Sequence, residues 1–352
     1  LNSARNNLDG RMSEPLFALK PLLARVVAGE RLGFADAQAA FNIIMSGQAT
    51  PAQIAAFLVG LRMRGETVDE ISGAAEVIRG KCLALRAPKG AIDIVGTGGD
   101  GSGTLNISTT TALVVAACGV PVAKHGNRAV SSKSGTADVQ TALGINVNAD
   151  FARIECALAE VNIGFMLAPR HHESFRHVAP VRAELGVRTI FNLLGPLCNP
   201  AGVKRYLLGV YAPEWVRPIA EVLLRLGCER AWVVHGAGGL DELSTLGPNR
   251  VSVVADGKVT DITISPADAG LPLSTLDQIR GGDSAYNAAR LNALLDGERG
   301  AYRDIVLLGA AAALQISEKV EDLPQGVTMA AAAIDSGKAR QALDGLIRIT
   351  NS

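Results

Sequence analysis

The chain has few aromatic residues, no net charge, no cysteine framework and no long apolar run. Each absence narrows what it can be. Aromatics make up 4% of 352 residues, so the core must come from aliphatic side chains. Lys and Arg total 34, and Asp and Glu also total 34. That balance argues against a partner such as nucleic acid, which calls for a basic excess. Cys82, Cys118, Cys156, Cys198 and Cys228 show no CxxC or CxH spacing. An odd number without a framework reads as reduced thiols of a cytoplasmic protein. No apolar stretch approaches the roughly 20 residues that span a bilayer, so no membrane partner is expected. No signal-peptide pattern opens the chain. Leu1 to Arg11 are polar, precede Met12, and read as a leader outside the fold.

What is present divides the chain. Up to about Cys82 the signals are helical. Thr50-Pro51-Ala52-Gln53 places an N-cap before an N1 proline and closes a capping box. Ile54, Phe57, Leu58 and Leu61 follow on one face. Thr67 and Glu70 form the next box, and Phe34 to Met45 reads as a further helix. The character changes at Ala87-Pro88-Lys89-Gly90. Beyond it, strands and helices alternate: strands over Ala91–Val95, Ile163–Leu167 and Arg230–His235, helices over Thr136–Leu143, Ala149–Val161 and Trp215–Leu226. Asp256-Gly257 between two apolar runs predicts a hairpin. The Ala-rich segments around Ile305–Leu314 and Thr328–Ile349 read as helical. The expected fold class is α/β: a small all-helical N-terminal domain, then a larger α/β domain with a mainly parallel sheet and one antiparallel hairpin. The expected division is 12–86 for the helical domain, joined by helices from about 170–195 that cross the cleft. Residues 87–169 and 196–352 form the other.

The chemistry concentrates between Asp93 and Ser134. Gly96, Gly98, Gly99, Gly101 and Gly103 fall in one loop after a strand, where backbone N–H groups can approach an anion closely. A dinucleotide site would want an acid about 20 residues on. Val114 to Pro121 holds none. A Walker A loop is also lacking, since Gly80-Lys81, Gly257-Lys258 and Gly337-Lys338 precede neither Ser nor Thr. The loop therefore holds phosphate by another scheme, or is a plain turn. Asn106, Ser108 and Thr109 sit at a helix start, where they cap N–H groups or bind phosphate and Mg2+. Lys124, His125, Asn127, Arg128, Ser131, Ser132 and Lys133 form a second loop at a strand end, the crevice position of an open α/β sheet. Farther on, Asp241-Glu242 follows a strand and a glycine-rich turn, where an acidic pair suits Mg2+. Arg182 can take a carboxylate bidentately, or be a surface arginine.

The runs GTGGD, NIST, KHGNRAVSSKSGTADV, PVRAELGVRTIFNLLGPLCNPA and GLDE, in that order, resemble the anthranilate phosphoribosyltransferases of tryptophan biosynthesis. The likeness covers nearly all of the chain after Met12. It implies that the amine of anthranilate displaces pyrophosphate from C1 of phosphoribosyl pyrophosphate (PRPP), with Mg2+ as cofactor. By that resemblance PRPP is bound by Gly96, Gly99, Asp100, Thr104, Asn106, Ile107, Ser108 and Thr109. The run Lys124, His125, Gly126, Asn127, Arg128, Ala129, Val130, Ser131 and Ser132 joins them, with Thr136. Gly96, Asn127, His172, Arg182 and Pro196 match anthranilate contacts. Ser108, Asp241 and Glu242 match metal ligands. His125 and Arg128 are expected to position rather than to act as acid or base, because an aromatic amine is already uncharged near neutral pH. A homodimer through the helical domain is expected. The pyrimidine nucleoside phosphorylases share the fold but lack the Asn-Arg after Lys-His. A nucleic-acid-binding relative and a dinucleotide-dependent oxidoreductase are the remaining alternatives.

Overall fold

The computed structural model describes residues 18–127 and 135–352. The helical lobe holds α1 (Lys20–Val27), α2 (Phe34–Met45), α3 (Pro51–Arg64) and α4 (Val68–Gly80). The capping box that opens α3 forms: Gln53 N–H donates to Thr50 Oγ1 at 3.3 Å and Thr50 N–H to Gln53 Oε1 at 3.0 Å. Ile54, Phe57, Leu58 and Leu61 are all buried. The box at α4 does more than cap. Glu70 is fully buried and accepts from Thr67 N–H at 2.9 Å, Leu32 N–H at 2.8 Å and Arg64 Nη2 at 2.6 Å. One carboxylate thus joins three segments of the lobe.

The larger part follows as β1 (Ile92–Gly96), α5 (Ile107–Ala117), β2 (Val122–Gly126), α6 (Thr136–Ala142), α7 (Phe151–Glu160) and β3 (Ile163–Leu167). The crossing segment comes next, with α8 (Ala168–His171), a 3-10 turn at Glu173–His177, α9 (Ala179–Leu185) and α10 (Phe191–Leu197). Then come β4 (Arg205–Gly209), α11 (Val216–Arg225), β5 (Arg230–His235), β6 (Asn249–Ala255) and β7 (Lys258–Ile264). Four helices close the chain: α12 (Ser284–Leu295), α13 (Ala301–Ile316), α14 (Leu323–Asp335) and α15 (Lys338–Asn351).

The seven strands form one sheet in the order β3-β2-β1-β4-β5-β6-β7. β1 to β5 run parallel, and β6 and β7 antiparallel. The hairpin turns at Asp256-Gly257, both at positive φ (51° and 74°), as its twist requires. Alternation along the strands splits the core in two. Leu207 packs with α5 and α13, whereas Tyr206 and Leu208 pack with α11 and the helical lobe. In the crossing segment, α9 packs on α3 and α10 on α4.

The structure departs from the sequence reading in places. Lys124, His125 and Gly126 belong to β2, paired with Phe165, Met166 and Leu167 of β3, and only Asn127 onwards leaves the strand. β4 and α12 had no clear signal. The stretch Thr328–Ile349 is two helices, broken at Ser336-Gly337. Residues 1–17, including the expected leader, lie outside the described residues.

Replacing Glu70 with Ala would leave Arg64 buried without its carboxylate. The variant is expected to lose about 3 kcal/mol of stability, read as a lower urea midpoint than the parent.

Candidate active site

The chain builds the sheet outwards in both directions from the boundary between β1 and β4. β2 and β3 add on one side, and β5, β6 and β7 on the other. At such a switch point neighbouring loops diverge and leave a crevice at the carboxyl ends of the strands. The loops after Gly96, Gly126, Gly209 and His235 all leave from that edge.

Glycine makes the crevice floor. Gly96 and Gly209 are partners in register. A Cβ on Gly96 would strike the Asp241 carboxylate, and one on Gly209 the Asp241 backbone carbonyl. A Cβ on Gly236 would strike the Glu242 carbonyl. Bare backbone at these positions lets Asp241-Glu242 lie across the strand ends. Gly98, turned at φ 70°, donates its N–H to Asp241 Oδ2 at 2.6 Å. Asp100 folds back on Ser102, accepting from its N–H at 3.1 Å and its hydroxyl at 2.7 Å. Asp241 therefore organises a glycine loop that lies 143 residues before it.

The far end of the loop is also fixed. Thr104 pairs with Arg280, Leu105 N–H donates to Ile279 O at 3.0 Å, and Gly281 N–H to Gly103 O at 2.8 Å. Asn287 Nδ2 donates to Asn106 Oδ1 at 3.0 Å, and Tyr302 OH to the Asn106 carbonyl at 3.3 Å. These bonds orient Asn106 where α5 begins. Ile107 is buried in the aliphatic core. The hydroxyl and N–H of Ser108 face the Glu242 carboxylate and favour its charged form. Thr109 is buried, and its hydroxyl has no partner among the described residues; it lines a small cavity with Lys124 and Gln140.

Charge is packed tightly here. Burial, and then their mutual repulsion with Asp100 nearby, raises the carboxyl of Asp241 well above its usual range. Burial likewise raises Glu242, against the pull of Lys124 and Ser108. Lys124 is buried; its ammonium donates to the Ile94 carbonyl and feels Asp93, Glu242 and Asp241. Desolvation lowers its pKa. Asp93, fully buried on β1, is pushed up to about 6 by burial. It accepts from Asn199 Nδ2 at 2.7 Å and from His125 N–H at 3.2 Å. Asn199 Nδ2 also reaches the Ala123 carbonyl at 2.8 Å, stitching the crossing segment to β1 and β2.

A row of rings leads away from this edge towards the crossing segment. His125 meets His172 edge-on at 5.2 Å, His172 meets Phe175 at 5.7 Å, and Phe175 meets Phe191 at 5.6 Å. The Arg182 guanidinium lies 5.3 Å from the centre of the Phe191 ring. Burial lowers the pKa of Arg182, and among the described residues no carboxylate pairs with it. Pro196 is buried inside α10. Gly126 passes close to Phe165 and to Thr136, which opens α6. Asn127 is exposed at the end of β2. Arg128, Ala129, Val130, Ser131 and Ser132 lie outside the described residues.

The structure thus gathers the glycine loop, Asn106, Ser108, Asp241 and Glu242 at one end of the sheet. It sets His172, Arg182 and Pro196 on the crossing segment beside them. Sequence reasoning passed over Asp93, Asn199, Asn287 and Arg188, the last of which donates to the Gly99 carbonyl. An acid inside the apolar run Ile92-Asp93-Ile94-Val95 was the available signal.

Known proteins share this architecture. Residues 88–340 match the α/β domain of a glycosyl transferase family, and residues 20–82 match that family's helical bundle domain. Anthranilate phosphoribosyltransferase of Rhodospirillum rubrum is 60% identical over 331 residues, covering 94% of this chain and 95% of the relative. That of Paramagnetospirillum magneticum is 58% identical over 336 residues, covering 96% and 97%. The anthranilate phosphoribosyltransferase structure from Thermus thermophilus superposes with a TM-score of 0.89 at 44% identity, covering 94% of this chain and 99% of that one. The Saccharomyces cerevisiae enzyme in complex with PRPP and Mg gives 0.86 at 27% identity, covering 95% and 98%.

The buried imidazoles have a pH consequence. Burial holds His172 down to about 4. A depressed imidazole contributes stability above pH 6.5 that is lost as the pH falls towards 4. Between pH 7.5 and pH 5 the parent should therefore lose about 2 kcal/mol more than His172→Leu, measured as paired urea melts at the two pH values.

Proposed function

The chain belongs to the anthranilate phosphoribosyltransferase family, and from that premise we propose how its residues divide the work of transferring a 5-phosphoribosyl group from PRPP to the amine of anthranilate. The glycine loop, with Gly96, Gly99, Asp100 and Thr104, and the start of α5, with Asn106, Ile107, Ser108 and Thr109, hold PRPP. Lys124, His125, Gly126, Asn127 and Thr136 hold it from the β2 side, together with the run Arg128–Ser132. The observation that carries this reading is the convergence of a glycine-rich loop, buried acids and a buried lysine at one strand-end crevice. A doubly phosphorylated substrate needs charge neutralised at both ends, and positioned charge is the main source of rate in such a displacement.

The metal assignment rests on the donor set. Asp241 and Glu242 are forced together with Asp100 close by, so that each raises the cost of ionising its neighbour. A divalent cation relieves that cost. Among the described residues no group of three or more His, Cys, Asp or Glu is spaced to close around an ion. Substrate phosphates and water would complete the shell, as suits Mg2+. Asp241, Glu242 and Ser108 would hold it. Bound there, Mg2+ would neutralise the pyrophosphate leaving group. The yeast relative's complex with PRPP and Mg supports the same pairing.

Arg182 is the carboxylate receptor for anthranilate. A guanidinium that is desolvated, stacked and without a carboxylate of its own is suited to an aromatic acid. His172, Pro196, Asn127 and Gly96 border the path between it and C1. The yeast relative in complex with 4-fluoroanthranilate supports an acceptor of this kind. His125 positions: its imidazole is buried and kept neutral, and its backbone N–H donates to Asp93. Arg128, which lies outside the described residues, would be a positioning residue as well.

The division that accompanies this reading puts 12–86 and the helices of about 170–195 in one lobe, with 87–169 and 196–352 in the other. The packing of α9 on α3 and α10 on α4 supports it. Two copies would meet through the helical lobe, where Val27 and Met63 are left 70% and 84% exposed. The free cysteines fit the reducing conditions of the cytoplasm.

Incubation with PRPP, Mg2+ and anthranilate should extinguish anthranilate fluorescence; a folded protein that leaves it unchanged would refute the reading. Arg182→Ala should raise the anthranilate KM by about 100-fold, the scale of a lost charge-assisted pair, with the PRPP KM little changed. Asp241→Asn with Glu242→Gln should demand far more Mg2+ for half-maximal rate, and an unaltered Mg2+ titration would remove the metal role.

A further inference from the structure

The crossing segment reaches the glycine loop at one point. Arg188 lies between α9, which carries Arg182, and α10. Its neighbours Thr189 and Ile190 are buried, and Thr189 N–H is held by Asn192 Oδ1 at 3.0 Å. The Arg188 side chain, by contrast, is exposed. Its guanidinium donates to the Gly99 carbonyl and stacks 4.3 Å above the Tyr211 ring. Tyr211 is itself part of the loop's mounting. Its N–H donates to Thr97 Oγ1 at 3.0 Å, and Thr97 N–H donates to Gly209 O at 2.9 Å.

The glycine loop is therefore gripped from two directions. Asp241 takes the Gly98 N–H from the sheet side, and Arg188 takes the next residue's carbonyl from the crossing segment. A carbonyl fixed by a cation fixes its peptide plane, and hence the direction of the N–H that follows it. Gly99 and Gly101 sit at φ 73° and 75°, with no Cβ to restrain them, so the loop has little intrinsic stiffness. Its order has to be supplied from outside. Tyr211 pre-orients the guanidinium by stacking, so that less freedom is lost when the hydrogen bond forms.

We infer that Arg188 is a positioning residue: it latches the Gly99 peptide to the segment that carries Arg182, so that the phosphate-facing N–H groups of the loop are aimed before PRPP arrives. This rests on the reading that the loop holds PRPP. It links the two substrate sides through one exposed side chain.

The test uses the full-length chain with Arg188→Ala, Arg188→Lys and Tyr211→Leu. Because Arg188 is exposed, Arg188→Ala should keep the parent's melting temperature. Without substrate, its amides over residues 97–103 should exchange about ten-fold faster, the change expected from one charge-assisted hydrogen bond. The PRPP KM should rise by a similar factor and kcat should fall less. Arg188→Lys should stay impaired, lacking the planar fork. Tyr211→Leu should reproduce part of the effect and add little to Arg188→Ala. Unchanged exchange over 97–103 in Arg188→Ala would overturn the inference. So would a raised PRPP KM with unchanged exchange, which would make Arg188 a direct ligand. If PRPP fails to protect these amides in the parent, it is the assignment of the loop to PRPP that falls, while the substrate-free comparison still judges the latch.

Discussion

The site depends on a steric permission: backbone without side chains at Gly96, Gly209 and Gly236. Only there can the Asp241-Glu242 peptide lie against the ends of β1, β4 and β5. Any Cβ there would collide with it and force it to move. Once seated, Asp241 turns inwards and takes the Gly98 N–H, and Glu242 faces Ser108. Close contact thus makes the electrostatics. Two adjacent carboxyls are held in low dielectric, each raising the other, with Lys124 as the nearby compensating charge. Such a cluster is unfavourable by itself. On the proposed reading, a cation and phosphate arriving together would relieve that cost.

Beneath this lies a second buried network, and it explains why the β2 groups belong to a strand rather than a loop. Asp93 holds the His125 N–H and Asn199, Asn199 holds Ala123, and Lys124 holds Ile94. These bonds tie β1 and β2 to each other and, near their amino ends, to the start of the chain's return from the crossing segment. A lysine on a flexible loop would lose rotamer freedom on meeting phosphate. Lys124 is ordered already. Burial also keeps His125 and His172 neutral; if Arg182 receives the acceptor's carboxylate as proposed, two competing cations are thereby removed.

Much of this was legible in the residues. Capping boxes at Thr50 and Thr67 work through local bonds, so spacing alone located α3 and α4. Asp256-Gly257 located the hairpin for the same reason. β4 was not legible because Arg205-Tyr206-Leu207-Leu208-Gly209 is short and apolar on both faces, buried between β1 and β5, with no alternation to read. Its terminal glycine proved more informative than its apolar residues, but only once Asp241 was in place above it. The contacts of Asn287 with Asn106 and of Arg188 with Gly99 span long separations in sequence. Nothing local marks such residues, since each serves a partner that the sheet topology brings near. The anion-binding character of Asp93–Ser134 was legible because glycines and hydroxyls cluster within a few turns of chain.

The same topology explains how one chain serves two substrates of opposite character. PRPP is charged and wants fixed dipoles, which a strand-end crevice offers. Anthranilate is flat and apolar apart from its carboxylate, and wants rings and one cation. The crossing segment supplies these by leaving the sheet after β3 and packing on the helical lobe. It thereby carries Phe175, Arg182 and Phe191 to the edge of the crevice without interrupting the sheet. An enzyme built this way must keep the two sides in register, because reacting atoms misplaced by about 1 Å cost orders of magnitude in rate. The large packing surfaces fix the lobes on average. The bonds of Asn199 to Asp93 at the buried root and of Arg188 to Gly99 at the exposed tip fix the segment at both ends of the glycine loop's strand. On the proposed assignment of the two substrates, register between them would rest on two polar contacts, one buried and one exposed.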